Sequence, residues 1–588
     1  MSAGKFLTGF GARLPGRALF AGVLFAALLW CYGGTASVPL LLDDEITLVR
    51  NRSIQRLGDW AAVLSPPADG TTGGRPLANL SFALTYAVSG VQPWAHRLAN
   101  VGLHGIVSLL AFGVVRRVLA LPGFPGRLRD RAGELGAAVA LLWAVHPLLT
   151  QSVTYISQRT EVLMSGGYLL TLYAFLRAET DPARGDAWRF VSVAACWLGS
   201  LCKEAIATAP FVVLLCHWLL LRVDFRTLWR ERLGYYAALT LSWTILAVSL
   251  NKVYERGVTF DAGVSSLQYA TVQVRAVVDY LRLSFWPHPL IFDHSPLVVS
   301  EPRLSLPHAM VLIALLGGVG WSLARRYRSG FLGGWFLLIL APTSSVIPVV
   351  NAAVAENRAY LPSLAVVAAV VVVLALVLNR WVARLTFGVL AVSAAWATVG
   401  RNLDYADAIS LWQDTVEKEP GNPRAHGQLA FALYTHGQPE AALRHYREAL
   451  RLDPARAAHH SGAGVILAAQ PGGLAEAQRH LAEAVRLKPD EAEAHANLGS
   501  VLGRVGMDLP GAERHLREAL RLAPGDAGVW FLFGEFIEQR RADRPEARRA
   551  YEEALRLSPG FEPALMALRR FDSAPVPRGG SPAPSLLP

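Results

Sequence analysis

Hydrophobic residues are unevenly distributed along this chain, and their pattern changes near residue 400. Residues 1–400 hold nearly all of the long apolar runs, whereas residues 401–571 are polar, amphipathic and rich in Ala, Leu, Arg and Glu. A helix needs about 20 apolar residues to cross the hydrocarbon core of a bilayer. The apolar runs predict about eleven membrane-spanning helices, at roughly 17–39, 96–120, 132–149, 160–178, 188–202, 205–221, 233–250, 307–324, 331–350, 360–379 and 383–400.

A fixed period marks the polar region. Prolines that end helices recur every 34 or 35 residues, at Pro420, Pro454, Pro489, Pro524 and Pro559. Before each of the last four stand two alanines with a bulky residue between them, a pattern that lets two helices approach closely. The pattern resembles the tetratricopeptide repeat and predicts a half repeat at 406–420 followed by four full repeats, stacked as an α-solenoid.

We therefore expect an all-α chain with a polytopic transmembrane domain at 1–400 and a repeat domain at 401–571. Residues 572–588 are rich in Ser, Pro and Gly, which predicts a disordered tail. The groove of the repeats is expected to bind a peptide or protein. A purely structural stalk or an oligomerisation surface is the alternative.

Arginine clusters predict the orientation in the membrane. They lie before the first expected span, between the second and third, and after the fourth, sixth, eighth and tenth. Cytoplasmic loops carry an excess of Arg and Lys, so the N-terminus is expected in the cytoplasm and the repeats on the opposite face. A cleaved signal peptide ending near Thr35-Ala36-Ser37 is the alternative for the first span, but the apolar run continues through Leu42 and is long for a signal peptide.

Composition narrows the function classes further. The 588 residues are 53% hydrophobic with a net charge of +11, but arginine lies at the ends of apolar runs rather than in a basic patch. That distribution is typical of arginines that set the orientation of membrane spans, so no nucleic-acid partner is expected. The four cysteines lie in apolar runs without a CxxC pair and are interpreted as small core residues.

Three carboxylates follow the first expected span directly. Asp43, Asp44 and Glu45 stand at a membrane boundary, where ionisable groups are costly and therefore functional candidates. A carboxylate there can act as general base on a hydroxyl. The alternative is structural: the two aspartates cap a helix and pair with Arg75 or Arg97.

Cations on the same expected face indicate a binding site for a phosphate group. Arg and Lys side chains hold a phosphate and stabilise its charge as it departs. Their positive charge and their position on the expected outer face of the membrane favour a donor-phosphate role for Arg75, Arg159, Lys203 and Arg358. Further ionisable candidates on this face are Glu45, His96, His146, Glu161, Glu204, Arg275, Arg282 and Glu356.

Six stretches in one order resemble the transmembrane-and-tetratricopeptide-repeat O-mannosyltransferases, which belong to the C-type (GT-C) glycosyltransferases. They are the run from Leu41 to Leu110, Leu142-Trp143-Ala144-Val145-His146-Pro147, Gln158-Arg159-Thr160-Glu161, Cys202-Lys203-Glu204, Tyr280-Leu281-Arg282-Leu283 with Trp286-Pro287-His288, and Ala355-Glu356-Asn357-Arg358-Ala359-Tyr360-Leu361-Pro362.

The resemblance implies an enzyme that moves a sugar, with mannose expected, from a polyprenyl-phosphate donor to a Ser or Thr hydroxyl of a protein. It implies a catalytic acid in the first outer loop. That role carries onto Asp44 or Asp43, and Asp44 is favoured because with Glu45 it matches an Asp-Glu pair of the wider protein O-mannosyltransferases. No cofactor or metal is implied, although a divalent cation on the three carboxylates is an alternative.

Few repeats and a preference for Arg over Lys predict a bacterial protein of the inner membrane, with periplasmic repeats and an undecaprenyl-type donor. The rival hypothesis is a membrane-anchored repeat scaffold without catalysis. A transporter is not favoured, because the apolar segments show no internal symmetry.

Overall fold

The computed structural model describes residues 14–68, 70–255, 266–294, 305–344, 353–506, 508–541 and 543–573. Within these ranges every regular element is a helix, which confirms the all-α prediction. By its internal contacts the chain divides into two compact units, between Leu411 and Trp412. The division lies beyond residue 400 because the last apolar helix runs on to Asp404.

The helices of the first unit follow the apolar runs, with short helical turns between several of them. Their bounds are Leu14–Tyr32, Asp43–Leu48, Trp60–Leu64, Pro76–Ser89, Pro93–Leu119, Gly126–Arg129, Ala132–Ala144, Thr150–Thr154, Arg159–Thr180, Gly185–Ser200, Ala209–Leu215, Phe225–Glu231, Leu233–Thr240, Ser242–Glu255, Ser266–Phe285, Leu306–Ala324, Gly330–Leu340, Ser363–Val377 and Arg380–Asp404.

Among the described residues, four helices are long and apolar enough to cross a membrane. They are Ala18–Ser37, Pro93–Leu119, Leu306–Ala324 and Arg380–Asp404. Ala132–Ala144 and Pro147–Thr154 make a fifth if this pair, bent by 55°, is one broken span. The other expected spans are shorter or more polar helices, so the count of about eleven stays a prediction.

Exposed apolar side chains indicate whether these helices are surrounded by lipid or by water. Met310 and Ile313 of the helix Leu306–Ala324 are 60% and 69% exposed, and no residue in the apolar part of that helix is buried. An unbroken apolar surface of this kind is stable in lipid rather than in water. The chain is therefore a membrane protein.

A polar and aromatic centre joins three helices of the first unit. Trp143 is fully buried and its indole N–H donates to the carbonyl oxygen of Tyr360 at 3.1 Å. The Tyr360 hydroxyl lies 2.6 Å from Nδ1 of His104, whose Nε2 bonds the Ala144 carbonyl oxygen. These bonds fix the ends of the helices that carry the loops described below.

The second unit is a stack of helix pairs. A helix at Ala408–Lys418 crosses the division and is followed by the pairs Pro423–Thr435 and Pro439–Leu452, Ala457–Ala469 and Leu474–Leu487, Ala492–Val505 and Leu509–Leu522, and Ala527–Phe536 and Arg544–Leu557. A further helix, Glu562–Ser573, follows the last pair and was not predicted from the period. Residues 574–588, most of the expected disordered tail, lie outside the described residues.

Small residues allow the close packing of each pair. The paired alanines of the four repeats are all completely buried, and Leu516 between one such pair packs over Gly499 of the neighbouring helix. A Cβ atom on Gly499 would lie 2.7 Å from Cγ of Leu516 and 2.9 Å from the Ala512 carbonyl oxygen. The regular spacing of small residues that predicted the repeats is thus required for the two helices of each pair to pack closely.

Candidate active site

The three carboxylates lie on a short helix that begins with a strained turn. Leu42 precedes the helix Asp43–Leu48 with φ +38° and ψ −109°, a backbone conformation that residues with a Cβ rarely adopt. Strained backbone persists only where the surrounding structure holds it, and it concentrates at functional sites. The turn therefore marks residues 42–45 as a candidate site on physical grounds independent of charge.

Asp44 is the buried member of this turn. Its side chain is completely buried, and its two carboxylate oxygens accept hydrogen bonds from the backbone N–H of Ser157 at 2.9 Å and of Leu41 at 3.2 Å. Burial raises the pKa of Asp44 to about 7, although these N–H groups and the nearby Arg97 lower it. Asp44 thus ties the turn to the loop at Ser157.

Asp43 is half-buried and therefore the more accessible of the two aspartates. Its backbone N–H donates to the hydroxyl of Tyr155 at 3.0 Å. Its carbonyl oxygen accepts from the hydroxyl of Thr47 at 2.6 Å. The backbone of Asp43 is thus held at both ends, and the residue as a whole is half-buried.

A chain of hydrogen bonds leads from this helix to the first cation. The Thr47 and Thr71 hydroxyls lie 2.6 Å apart, and Nη1 of Arg75 donates to the Thr71 carbonyl oxygen at 3.3 Å. Nη2 of Arg75 forms an ion pair of 3.1 Å with Glu204, and both side chains are about one third exposed, at 27% and 35%. The structure thus brings Asp43, Arg75 and Glu204 into one neighbourhood.

The next residue along the chain extends this neighbourhood. Nζ of Lys203 lies 2.6 Å from the carboxylate of Glu161, and their side chains are 11% and 4% exposed. Arg75 and Lys203 therefore each already have a carboxylate partner. A phosphate would have to compete with these partners or share the cation with them.

Arg159 does not face a surface. Its side chain is buried and lies over the ring of Phe82 at 4.3 Å. Nε donates to the Asn100 side-chain oxygen at 2.6 Å, and the remaining N–H groups reach oxygen atoms of Ser81, Thr85 and His96 at 2.8–3.0 Å. With its donors engaged in the core, Arg159 is placed to join helices, and this geometry does not favour a phosphate contact.

The turn at residues 356–359 meets the same loop from the other side. Asn357 donates from its side chain to the Gln158 side-chain oxygen at 2.7 Å, one residue after Ser157. Glu356 is buried and accepts from the backbone N–H of Ile291 at 2.6 Å. Arg358 is nearly buried and donates to the carbonyl oxygens of Ala353 at 2.8 Å and Thr343 at 3.0 Å. The phosphate role expected of Arg358 stays a prediction.

The remaining candidates have partners other than Asp43, Asp44 and Arg75. Glu45 is exposed and pairs with Arg50 at 3.2 Å. His96 is buried with Nε2 at 3.0 Å from the Gly90 carbonyl oxygen, and His146 accepts through Nδ1 from the N–H of Leu148 at 3.3 Å.

Two further arginines lie on another helix, Ser266–Phe285, off the face that buries Tyr269, Gln273 and Tyr280. Arg275 is half-buried there, and Arg282 donates to the His288 carbonyl oxygen at 2.7 Å.

Two structural groups were not identified as site residues from the sequence. Arg97 is buried and donates to the carbonyl oxygens of Val38, Pro39 and Thr154, which fixes the chain directly before the turn. Asn79, also buried, donates to Ser53 at 2.9 Å and to the Val63 carbonyl oxygen at 2.8 Å. Neither shows a local sequence signal, because each acts on backbone groups that only the fold brings near.

A metal site is not assembled at the turn. In the part of the chain that the structure describes, no group of three or more His, Cys, Asp or Glu side chains is placed to hold an ion. Asp44 points into the protein and Glu45 toward Arg50. The carboxylates of Asp44 and Glu45 thus diverge.

Comparison with known proteins finds relatives that align with most of this chain. The chain is 24% identical to Protein O-mannosyl-transferase Tmtc3 of Drosophila melanogaster over 72% of this chain and 54% of the relative. It is 27% identical to Protein O-mannosyl-transferase TMTC4 of Mus musculus over 72% of this chain and 65% of the relative. The chain thus spans about half to two thirds of the length of these curated relatives.

The repeats also match. Residues 403–466 fit the tetratricopeptide repeat family. Among solved structures, the tetratricopeptide repeat protein YrrB is 20% identical, covering 31% of this chain and 89% of its own, with a TM-score of 0.24. A thermophilic tetratricopeptide repeat protein of Thermus thermophilus is 23% identical over 31% of this chain and 95% of its own, with a TM-score of 0.26. The chain is therefore a membrane protein with tetratricopeptide repeats whose relatives are named protein O-mannosyl-transferases.

Proposed function

We propose that this chain is a membrane glycosyltransferase of the C-type that moves a sugar, mannose, from a polyprenyl-phosphate donor to a Ser or Thr hydroxyl of a protein. One observation carries the proposal: the strained turn holds the half-buried residue Asp43, whose backbone carbonyl oxygen begins a hydrogen-bonded path through Thr47 and Thr71 to Arg75. The names of relatives that align with 72% of this chain support the same activity.

In this proposal Asp43 is the general base and Asp44 its positioning residue. The acceptor hydroxyl loses its proton to Asp43, and its oxygen attacks the anomeric carbon of the sugar. The bond between that carbon and the phosphate oxygen breaks, and the phosphate leaves with the electron pair. Asp44 is less suited to be the base because both of its oxygens accept backbone N–H groups inside the protein.

The departing phosphate requires positive charge. Arg75 is the cation at the end of the hydrogen-bonded path from the turn. Lys203 directly precedes Glu204, the ion-pair partner of Arg75, in the sequence. As the phosphate gains charge it would attract Arg75 and Lys203 away from Glu204 and Glu161. Interactions that strengthen as charge develops lower the barrier rather than only binding the donor.

The test compares two isosteric variants in the purified full chain. Mannose transfer from a synthetic polyprenyl-phosphate mannose to a Ser/Thr peptide is measured by mass spectrometry, together with the thermal unfolding midpoint. Asp43→Asn is expected to lower the rate by at least about 100-fold without a change in midpoint. Asp44→Asn is expected to lower the midpoint, because one backbone N–H then faces an amide N–H.

Glu45→Gln is the matched control, since Glu45 is exposed and lies one residue beyond the pair. It should keep both rate and midpoint. Full transfer by Asp43→Asn would remove the assignment of the base. A rate that falls as the pH drops through about 7 would instead indicate Asp44, whose burial raises its pKa to about that value.

The setting of the reaction is also proposed. A bacterial inner membrane, an active site and repeats on the periplasmic face, and an undecaprenyl-type lipid carrier follow from the arginine clusters and composition. The repeats would bind the acceptor polypeptide, as tetratricopeptide repeats commonly bind peptides in their groove. No cofactor is part of this proposal, because the lipid-linked sugar is itself a substrate.

A further inference from the structure

A cavity of the first unit lies far from the turn that carries Asp43 and Asp44. It has a volume of 710 Å³ and an apolar wall from the helices Pro93–Leu119, Gly330–Leu340 and Ser363–Val377. Its wall includes Val118, Phe331, Trp335, Ala368, Val372 and Leu376. The volume lies within the range of about 300–1,000 Å³ that small-molecule ligand sites occupy.

The mouth of this cavity is basic. Arg222 and Arg328 line it together with Tyr327 and Ser329. In the part of the chain described, neither arginine has a carboxylate within ion-pair distance, because the nearby Asp224 pairs with Arg326 at 3.2 Å. Two cations without acidic partners at the end of an apolar cavity match a ligand with an anionic head and an apolar chain.

Arg328 is held in place but keeps unused donors. Its Nη2 donates to the Pro122 carbonyl oxygen at 2.7 Å, and its guanidinium lies over the ring of Phe124 at 4.9 Å. Its Nε and Nη1 have no hydrogen-bond partner among the described residues, although they are shielded from water. Burial lowers the pKa of Arg328, and the like charge of Arg222 lowers it further. An anion would satisfy the donors and oppose the repulsion.

Glycine at position 123 makes room for this arrangement. Gly123 has φ +86°, and a Cβ atom there would lie 2.5 Å from both terminal nitrogens of Arg328. Gly123 thus lets the guanidinium of Arg328 lie directly against the backbone in this position.

The position of the mouth identifies the class of ligand. Arg97, beside the carboxylate turn, and Leu119, in the cavity wall, lie on one helix and are about 33 Å apart at about 1.5 Å per residue. That length is close to the hydrocarbon thickness of a bilayer. The mouth thus lies about one bilayer thickness from Arg97, on the side of the arginine clusters.

We infer that this cavity binds an anionic phospholipid, with one acyl chain between the three helices and its phosphate between Arg222 and Arg328. The cytoplasmic leaflet, where the arginine clusters are expected, carries anionic lipids, and basic pockets between membrane helices bind such head groups. The inference does not depend on the proposed transferase activity.

The test measures lipid retention by native mass spectrometry. The full chain is purified, delipidated and exposed to vesicles of phosphatidylglycerol or of phosphatidylethanolamine. Wild type should retain one phosphatidylglycerol about tenfold more strongly than phosphatidylethanolamine, and the double variant Arg222→Gln/Arg328→Gln should lose that preference. Ala368→Phe, which fills the apolar wall, should reduce retention with both arginines intact.

The matched control is Arg129→Gln/Arg325→Gln, which removes two arginines of the same clusters outside the cavity. It should retain phosphatidylglycerol as wild type does. Equal loss in both double variants, or equal retention of the two lipids by wild type, would overturn the site. Displacement of phosphatidylglycerol by an equimolar polyprenyl phosphate would also overturn it, since the cavity would then belong to the donor. Thermal midpoints of all variants exclude loss of folding as the cause.

Discussion

Neighbouring ionisable residues have different environments in this protein. Asp43 and Asp44 are adjacent, yet Asp43 is half-buried and Asp44 completely buried. The difference arises because successive residues of a helix point about 100° apart, and the loop at Ser157 covers only one of the two directions. The preference for Asp44 as base, which rested on resemblance, is replaced in our proposal by Asp43 on the basis of access.

Arg159 offers a test at the residue scale. Arg159→Lys keeps the positive charge but replaces a planar group with five donors by one with three. Four acceptors, on Asn100, Ser81, Thr85 and His96, then face only three donors, so at least one loses its hydrogen bond, at a cost of roughly 1–3 kcal/mol. We expect a lower thermal unfolding midpoint in the detergent-solubilised chain.

Arg451→Lys is the control for this variant, because the Arg451 side chain is 66% exposed and its replacement should hardly change the midpoint. An Arg159→Lys protein with the wild-type midpoint but no mannose transfer would contradict the structural role. It would restore the donor-phosphate role expected from the sequence.

Histidine pairs recur in three consecutive repeats. His426 and His445, His460 and His480, and His495 and His515 approach with Nδ1 atoms 2.9–3.1 Å apart. The first histidine of each pair also bonds through Nε2 to the carbonyl oxygen of the proline that ends the preceding helix, at 3.1 Å. Since a carbonyl only accepts, that Nε2 carries a proton, and the Nδ1 contact can hold a single proton between the two rings.

These pairs predict a pH dependence of the repeats. Burial first, and then the partner histidine, lower the pKa of His445 and His480 and likewise that of His515. The folded repeats thus bind fewer protons than the unfolded chain, so stability is complete above the ordinary histidine pKa of about 6.5 and is lost as the pH falls below it.

Hydrogen–deuterium exchange of the full chain, corrected for the intrinsic effect of pH, measures this. Protection of the paired helices should fall between pH 7 and pH 5. The triple variant His445→Gln/His480→Gln/His515→Gln should flatten that slope, because glutamine donates to the first histidine without titrating. An unchanged slope would mean that other groups control the stability of the repeats.

The membrane unit as a whole combines long spans with shorter apolar helices. Of the helices described, Glu204–Leu220, Leu233–Ser249, Gly330–Leu340 and Ser363–Val377 are apolar but short. Packing within the protein lets such helices remain shorter than an isolated span. The number of crossings therefore depends on how these helices sit in the bilayer, which length and composition do not decide.

Topology is testable on the intact chain. With the four cysteines replaced by alanine, single cysteines at Ser410 and Arg127 are labelled in intact bacteria with a reagent that does not cross membranes. Eleven crossings with a cytoplasmic N-terminus predict labelling at Ser410 and protection at Arg127 until the cells are opened. Labelling of both residues, or of neither, would contradict an odd number of crossings between a cytoplasmic loop and the repeats.

The sequence by itself determined the all-α class, the membrane character and the repeats. Each of these properties is local: a run of apolar residues predicts a span, and a period of 34 or 35 residues reports the contact between one helix pair and the next. Such local patterns can be interpreted without knowledge of the rest of the chain.

Only the tertiary structure decided which charges act together. Arg75 pairs with Glu204 across 129 residues, and Lys203 with Glu161 across 42. It also decided that Arg159 and Asp44 are buried whereas Asp43 is only half-buried, and that two arginines line an otherwise apolar cavity. The physical reason is that burial and ion pairing depend on which helices meet, and long-range packing leaves no periodic trace in the sequence around any one residue.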